Sequence, residues 1–354
     1  MPRRSSAPPA AALTARVFGA GPTGALAALA LARSGWQVQL VDPQPRQALL
    51  QRSRAYALTH SSAALLRDLD LWDSLAQARA PFRRLELCDR SIGRQVTFEA
   101  SDLPAAAQRN DPDAVALELA ADGHGSPRRT AARIRHWRRP YRQGCLTVQV
   151  GLRGSAADQA WELFRAEGPF AVLPLGGEAF QLVWSAPLPQ LRRLEQLEPA
   201  LFLDALNAAL PDALQAEVLL DQPAAFPVAL ELAWPLQRGR LLLLGEAAHR
   251  SHPVGGQGLN LCWRDVATLQ RLAAQVTSGR LPLSRLPRRY AERRWLDIAL
   301  VLLATDALVR LFSNRQPLLL PLRQLSLALL ARFPWLRRLS LSAMTDGPCR
   351  LRWH

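Results

Sequence analysis

The feature that most constrains the fold is a glycine-rich turn near the N-terminus, Gly19-Ala20-Gly21-Pro22-Thr23-Gly24. A short apolar segment, Leu13 to Phe18, precedes this turn, and an Ala/Leu-rich segment, Ala25 to Arg33, follows it. A second apolar segment, Gln37 to Val41, then ends on Asp42. A strand, a GxGxxG turn, a helix, a second strand and an acid in this order are typical of a dinucleotide-binding βαβ unit.

The three glycines and the acid of such a unit each have a physical role, and this sequence has a suitable residue for each role. Gly19 is expected to form the tight turn, Gly21 to let a pyrophosphate approach the backbone, and Gly24 to let the helix pack closely on the strand. Asp42 is placed to accept hydrogen bonds from the ribose hydroxyls of an adenosine. A βαβ unit that binds no ligand remains the alternative at this point.

A second glycine-rich stretch lies in the other half of the chain, between Arg240 and Asp265. It predicts a buried strand from Leu241 to Leu244, a Gly245-Glu246 turn, a loop and a helix that begins near Asn260. The loop combines several residues that favour tight turns or hydrogen bonding: Pro253, Gly255, Gly256, Gln257, Gly258, Leu259 and Asn260. Glycines before a helix N-terminus let backbone N–H groups reach an anionic or carbonyl-rich ligand. An ordinary strand–loop–helix connection would explain fewer of them.

The strongly basic composition is less informative than its size suggests. The formal net charge is +15, and all 44 basic residues are arginine, because the sequence contains no lysine. This choice is more typical of coding bias than of selection for one partner. The arginines are dispersed, which argues against specific nucleic-acid binding, although they can attract anionic lipid.

Cysteine usage and segment length restrict the class of protein further. The four cysteines are far apart and form no CxxC pair, which argues against a metal site or a disulfide scaffold and fits a cytoplasmic protein. Residues 1–12 have the composition of a disordered tail and lack the apolar core of an export signal. The longest apolar segment, Trp295 to Phe312, is interrupted by charges and is not expected to span a membrane.

Beyond Cys145 the hydrophobic pattern changes to the alternation of β-strands. Strands are predicted at Cys145 to Arg153, Ala160 to Phe164, Phe170 to Leu175, Ala179 to Ser185 and, after a helix from Pro199 to Leu210, near Val228 to Ala233. Residues 85–98 predict a hairpin around Ser91-Ile92-Gly93. By contrast, residues 100–121 have no clear periodicity and are too few for a full crossover unit.

The last quarter of the chain predicts amphipathic helices. Two rows of apolar residues recur at helical spacing: Leu296, Leu300, Leu303, Ala307 and Leu311, and then Leu318, Leu322, Leu325 and Leu329. Packing of these rows against the main body is the favoured interpretation. A membrane-touching surface is the alternative, because arginines flank both helices.

These elements together predict an α/β fold with three parts. A Rossmann-like lobe is expected from residues 13–80, 120–140 and 236–285, after a disordered tail at 1–12. An antiparallel-sheet lobe for the substrate is expected from 81–119 and 141–235, and C-terminal helices from 286–354.

The motifs as a set resemble the flavin-dependent aromatic hydroxylases, in the branch that contains the 2-polyprenylphenol hydroxylases of ubiquinone biosynthesis. The resemblance extends over most of the chain. It rests on GAGPTG with Asp42, on RSRAYAL before LDLWDSL, on PFAVLPLGG and FQLVWS, on GEAAHRSHPVGGQGLNLCWRD, and on RRYAERR and TDALVRLFSN.

The resemblance implies FAD, with NAD(P)H as electron donor, and it assigns roles residue by residue. It implies that the loop from Gly19 through Pro22 and Thr23 to Gly24 binds the ADP part of FAD, with Asp42 on the ribose and Arg54 beside the cofactor. Gly245 and Glu246 correspond to a Gly-Asp pair that holds the ribityl chain, with glutamate here in place of aspartate. Asp122 belongs to a central Asp-Gly motif that contacts FAD and the nicotinamide donor. The loop that faces the flavin ring corresponds to Pro253, Gly256, Gln257, Gly258, Leu259 and Asn260.

The implied reaction is hydroxylation of a phenolic, prenylated ring by reduced flavin and O₂. The flavin carries this chemistry, so the resemblance assigns no catalytic acid or base in the chain. His249 and His252 are expected to be structural residues of the flavin loop. The segment before Asp122 is shorter than in the family. A non-catalytic flavin-binding homologue is therefore one alternative. A flavin-dependent reductase of the geranylgeranyl type, which shares the architecture, is the other. The resemblance also suggests a cytoplasmic protein that associates with the membrane surface or with a biosynthetic complex.

Overall fold

A computed structural model describes residues 13–50, 56–81, 84–89, 94–99 and 117–346. Side chains are described for these residues except at positions 46, 50, 84–89, 94–99 and 346. Arg54 and residues 100–116, where the sequence analysis placed a cofactor contact and the shortened segment, lie outside the described residues.

Strands and helices alternate in the first part of the chain, strands dominate the middle, and helices dominate the end. The described strands, in chain order, are β1 (Thr14–Phe18), β2 (Gln37–Val41), β3 (Arg84–Asp89), β4 (Arg94–Glu99), β5 (Leu117–Ala120), β6 (Arg135–Arg153), β7 (Gln159–Phe164), β8 (Phe170–Gly176), β9 (Ala179–Pro187), β10 (Gln215–Leu219), β11 (Ala224–Trp234), β12 (Gln237–Arg238), β13 (Leu241–Leu243) and β14 (His249–Arg250). The described α-helices are α1 (Pro22–Arg33), α2 (Arg46–Leu50), α3 (His60–Asp68), α4 (Pro127–Ala131), α5 (Leu188–Glu195), α6 (Pro199–Asn207), α7 (Gln257–Thr277), α8 (Leu286–Phe312), α9 (Leu320–Arg332) and α10 (Pro334–Asp346).

The first sheet has the strand order β12-β13-β5-β1-β2 among the described residues. Strands β13, β5, β1 and β2 run parallel. The apolar residues of β1, β5 and β13 are buried because helices α1 and α7 cover the sheet, whereas β2 is an exposed edge strand. The carboxyl ends of the parallel strands therefore meet at one edge, where open α/β sheets bind their ligands.

The second sheet has the order β14-β11-β6-β9-β8-β7-β3-β4, with β10 paired to β6. All of these pairs are antiparallel except β3 with β7. Alternate residues of its strands form a core with α5 and α6 that includes Phe170, Phe180 and Phe202. Leu230 and Ala233 of β11 instead belong to the core that lies beside the first sheet. The predicted mixed α/β fold, with an inserted sheet and C-terminal helices, is thus confirmed.

Several element boundaries differ from the sequence-based prediction. The strand expected to begin at Cys145 begins at Arg135. The prediction missed its first half because the many arginines there obscure the alternation of polar and apolar residues. Residues Leu117–Ala120, which lay in a stretch without periodicity, form the central strand β5 between β13 and β1. Helix α7 begins at Gln257 rather than near Asn260, so Gly258 lies in its first turn.

The favoured interpretation of the C-terminal leucines is wrong. Leu296 and Leu303 on α8 are 54% and 65% exposed, and Leu318 before α9 is 89% exposed. The buried face of α8 is instead formed by Ile298, Val301 and other residues that lie between the members of the first predicted row. Both helices therefore present leucines outward. None of the described helices is long and apolar enough to cross a membrane.

Candidate functional site

The loops that follow the parallel strands gather at the carboxyl edge of the first sheet. Gly19 follows β1, Asp42 follows β2, Asp122 follows β5, and the turn of Gly245 and Glu246 follows β13. The site residues predicted from both halves of the chain thus lie on one edge. The sequence alone did not supply this arrangement, because β5 was not predicted.

The glycine turn is shaped by direct contact with the residues after β5. A Cβ atom on Gly19, which has φ +97°, would lie 2.4 Å from the carbonyl oxygen of Ala121. A Cβ atom on Gly24 would lie 1.8 Å from the carbonyl oxygen of Gly19. Glycine at these two positions is therefore a packing requirement of strand and helix.

Gly21 differs from its two neighbours, because a Cβ atom there would meet no protein atom within 4 Å. Its backbone is extended, with φ −65° and ψ 177°, so packing and backbone conformation do not require glycine. The open space lies at the N-terminus of α1, where unpaired N–H groups favour an anion. Space for a ligand, rather than the fold, explains glycine at this position.

Asp42 lies next to the glycine turn and stabilises it. One carboxylate oxygen accepts a hydrogen bond from the Ala20 N–H at 2.6 Å, and the other accepts one from the Gln44 N–H at 2.8 Å. The side chain is half-buried, so solvent still reaches it. The acid therefore holds the turn and keeps lone pairs available for ribose hydroxyls.

The turn after β13 brings the second predicted glycine stretch against the first. Gly245 has φ +59°, and a Cβ atom there would lie 3.1 Å from Cγ2 of Thr23 in the first turn of α1. The neighbouring Glu246 side chain is exposed and has no hydrogen-bond partner among the described residues. On the other side, Oδ1 of Asp122 is buried without a partner in the described part of the chain. Both carboxylates are available to a ligand at this edge.

The loop before α7 has a backbone that only glycine adopts readily. Gly255 and Gly256 are consecutive left-handed residues, with φ +67° and +62°. The Nε2 amide of Gln257 donates to the carbonyl oxygen of Gly255 at 3.1 Å. At Gly258, in the first turn of α7, an added Cβ atom would meet nothing within 4 Å. Pro253 and Leu259 are half-buried at the two ends of this loop.

Asn260 has its side chain turned into the protein. Its Oδ1 accepts hydrogen bonds from the Thr59 N–H at 2.9 Å and the Ser62 hydroxyl at 2.7 Å. Its Nδ2 donates to the carbonyl oxygens of Ala57 and Gly256, both at 2.8 Å. The amide thus joins the loop before α3 to the loop before α7, and any contact of Asn260 with a ligand is left to its backbone.

The two histidines of the loop have structural contacts, as expected. His252 is fully buried, its Nδ1 accepts from the Val254 N–H at 3.2 Å, and its ring meets Tyr141 edge-on at 5.3 Å. Burial lowers the pKa of His252 to about 3, so the ring is neutral at physiological pH. His249 contacts Asp265, with 2.8 Å between Nε2 and a carboxylate oxygen.

Asp265 is the centre of a buried ionic network that the sequence analysis did not identify. Its Oδ2 accepts from the Gly245 N–H at 2.8 Å, and its Oδ1 accepts from Nε of Arg294 at 2.6 Å. Arg294 also pairs with Asp297, which in turn pairs with Arg264 at 3.2 Å. Burial by itself would raise the pKa of Asp265, but His249 and Arg294 hold it below its usual value. This network fixes the turn that carries Glu246.

Only one signal in the sequence points to that network. Asp265 interrupts the apolar face of α7, where Leu261, Cys262, Val266 and Leu269 are buried. A charged residue within an apolar helix face indicates that it has a buried partner, but it does not show which residue that partner is. Arg294 is 29 residues away on α8, and its neighbour Arg293 is exposed, so nothing local distinguishes the two arginines.

Glu162 is a second buried acid that the sequence analysis missed. It lies on β7 between Ala160 and Phe164, and 6% of its surface is exposed. Among the described residues its carboxylate has one hydrogen-bond partner, the N–H of Gly255, at 3.3 Å. Burial raises its pKa to about 7, more than that hydrogen bond lowers it. Glu162 therefore links the sheet lobe to the glycine loop through a carboxyl that titrates near neutrality.

The titration of Glu162 predicts a pH-dependent stability. The folded protein retains a proton that the unfolded chain loses near pH 4.5, so the free energy of unfolding falls by about 3 kcal/mol as the pH rises from 4.5 through 7. We expect Glu162→Gln to lack this part of the decline. Urea unfolding of both proteins between pH 4.5 and 8.5 measures it, with the exposed Glu178→Gln as the matched control. Parallel curves for wild type and Glu162→Gln would contradict the prediction.

Comparison with known proteins decides the family. A family model described as FAD binding domain matches residues 12–94 and 117–301, which is most of the chain. The chain belongs to this family. The expected FAD-dependent monooxygenase family, with FAD as its cofactor, is thereby confirmed.

Two bacterial relatives match the chain over more than nine tenths of its length. It is 28% identical to the 3-demethoxyubiquinol 3-hydroxylase of Escherichia coli K12, over 92% of this chain and 96% of that protein. It is 30% identical to the ubiquinone hydroxylase UbiL of Rhodospirillum rubrum, over 91% of this chain and 87% of that protein. Among solved structures, p-nitrophenol 4-monooxygenase PnpA from Pseudomonas putida DLL-E4 has a similar fold, with a TM-score of 0.75, 17% identity and coverage of 96% and 100%.

The described residues of this FAD-binding chain fit the cofactor. The glycine turn offers open space at Gly21, and the loop before α7 offers open space at Gly258. Between them, Glu246 is exposed and Oδ1 of Asp122 is buried without a partner among the described residues. FAD is a long dinucleotide with a polyol chain. It requires space at two separate loops and hydrogen-bond acceptors for its hydroxyls, and these residues provide both.

Proposed function

We propose that the protein hydroxylates a phenolic, prenylated ring, with NAD(P)H as electron donor, in a reaction of the quinone-biosynthesis type. The observation that carries the proposal is the meeting of the two glycine loops at Thr23 and Gly245 on one sheet edge. The names of the relatives support the substrate class, since they act on ubiquinol precursors or ubiquinone. The predicted division into a nucleotide-binding lobe, a substrate lobe and C-terminal helices is part of this proposal.

In this proposal the residues at the sheet edge hold the cofactor. The turn from Gly19 to Gly24 binds the pyrophosphate with backbone N–H groups, and Asp42 accepts from the ribose. Glu246 and Asp122 accept hydrogen bonds from the ribityl chain and its surroundings. The loop from Pro253 to Asn260 faces the flavin ring with its backbone.

When bound, FAD would supply the redox chemistry, in which NAD(P)H gives two electrons and O₂ gives one oxygen atom to the ring and the other to water. The protein's part is to hold the reactants in place and exclude water. The apolar cluster beside the loop, which includes Phe164, Val254 and Phe312, supplies that exclusion. Phe164 and Phe312 stack at 4.2 Å, so this cluster closes the space between the second sheet and α8.

The test is the flavin spectrum of the purified protein, followed by turnover. We expect a two-band yellow spectrum, and NAD(P)H oxidation that is stimulated by a phenol with a short prenyl chain and yields hydroxylated product only with O₂ present. The Gly258→Trp variant should lose the flavin, because the indole would fill the space before α7. Protein that stays colourless with FAD added would overturn the proposal. Product formed without O₂ would indicate a reductase, and flavin binding without turnover a non-catalytic homologue.

The substrate class also bears on location. A prenylated phenol dissolves in the membrane, so we propose a cytoplasmic protein that works at the membrane surface, alone or in a biosynthetic complex. We propose no specific nucleic-acid partner, since charge is the only feature that would favour one.

A further inference from the structure

Helix α8 exposes an apolar surface that no other element of the described residues covers. Leu296, Leu300, Leu303 and Leu308 lie on its outer face with Ala304 and Ala307, and Leu303 is 65% exposed. No charged residue interrupts this face between Leu296 and Leu308, because Asp297 and Asp306 point to the buried side. Scattered exposed leucines are ordinary, but a continuous row on one helix indicates a binding surface.

Two exposed tryptophans lie beside this helix. Trp234, at the end of β11, is 49% exposed and meets Trp295 of α8, with 4.3 Å between the ring centres. Trp137, on β6, is 52% exposed. The guanidinium of Arg139 lies near the Trp137 ring and pairs with Asp306 of α8. One tryptophan therefore lies toward each end of the leucine row.

The charges around the row are mostly positive. Arginines occur on the face of β6 that carries Trp137 and at both ends of α8: Arg135, Arg139, Arg288, Arg289, Arg293 and Arg310. Of the carboxylates among them, Glu292 is paired with Arg288 and Arg289, and Asp306 with Arg139, Tyr141 and Arg310. The surface around the exposed leucines therefore has an excess of positive charge.

We propose that this α8 surface, formed by Trp137, Trp234, Leu296, Leu300, Leu303 and Leu308, docks on an anionic phospholipid membrane. Leucines enter the acyl boundary, tryptophans prefer the interface, and arginines attract the lipid phosphates. A second copy of the chain is disfavoured as occupant, because its own arginine-rich surface would repel this one. The link to a prenylated substrate rests on the proposed function, whereas docking itself requires neither flavin nor substrate.

Vesicle flotation of the full chain tests the proposal. We expect binding to vesicles containing phosphatidylglycerol, weaker binding to pure phosphatidylcholine, and a decline with salt. Leu303→Glu should lower binding to the anionic vesicles about tenfold or more, since it removes a leucine that would enter the acyl boundary and adds a charge that anionic lipid repels. The control Leu201→Glu alters an equally exposed leucine on α6 and should bind as wild type does.

Other outcomes would overturn the proposal. These are no binding of the wild type to either vesicle, equal binding by Leu303→Glu, or equal loss in Leu201→Glu. Concentration-dependent dimerisation that Leu303→Glu abolishes, without vesicle binding, would assign the surface to a second copy. Both variants should keep the flavin spectrum of the wild type, because neither residue contacts the site. Failure of docking with an intact spectrum is thus distinguishable from failure of the proposed function.

Discussion

Replacing Gly21 with valine is expected to weaken FAD binding about 100-fold, equivalent to about 3 kcal/mol, and to leave the fold intact. The added side chain would project into a space that holds no protein atom within 4 Å of its Cβ. Valine adopts the extended backbone of Gly21 without strain, so folding loses only about 1 kcal/mol from the poorer helix cap. Flavin titration and urea unfolding of the same protein measure the two effects.

The matched variant is Gly24→Ala, three residues away. Alanine would normally stabilise a helix by about 1 kcal/mol relative to glycine. Here its Cβ atom would lie 1.8 Å from the carbonyl oxygen of Gly19, so strand and helix must separate. We therefore expect Gly24→Ala to lose stability as well as flavin. Wild-type FAD affinity in Gly21→Val would show that no pyrophosphate lies at this turn.

Replacing Arg294 with methionine is expected to lower the free energy of unfolding by about 3 to 5 kcal/mol, because it leaves buried carboxylates without their main partner. Asp265 is fully buried, and Asp297 nearly so, and both pair with this guanidinium. The turn that carries Glu246 depends on Asp265, so flavin affinity should fall as well. Urea unfolding and flavin titration measure the two losses.

Two further variants make this prediction specific. Arg288→Met removes an arginine from the same helix whose side chain is 82% exposed and paired with Glu292, so its effect should stay below about 1 kcal/mol. Arg294→Lys keeps the positive charge but lacks the planar guanidinium, so its loss of unfolding free energy should be smaller than that of Arg294→Met. This variant also tests the prediction if Arg294→Met does not fold. Equal effects of Arg294→Met and Arg288→Met would contradict a buried network.

The ends of the nucleotide site could be predicted from the sequence because their chemistry is local. A glycine turn between a strand and a helix, followed by an acid, requires no distant residue to be interpreted. The resemblance to the flavin-dependent hydroxylases rests on the same local motifs. The strand β5 could not be predicted in this way, because it is four residues long and its neighbours β1 and β13 are far from it in the sequence.

The sequence by itself determined the fold class, the cofactor family and the glycine turn, since each depends on neighbouring residues. Only the tertiary structure decided which charges are buried and which leucines are exposed. Arg293 and Arg294 are adjacent in sequence, yet one meets solvent and the other Asp265, because burial depends on what packs against each helix face. Leu296, Leu300 and Leu303 of α8 lie outward for the same reason: Ile298, Val301 and Leu302 occupy the side that meets the core.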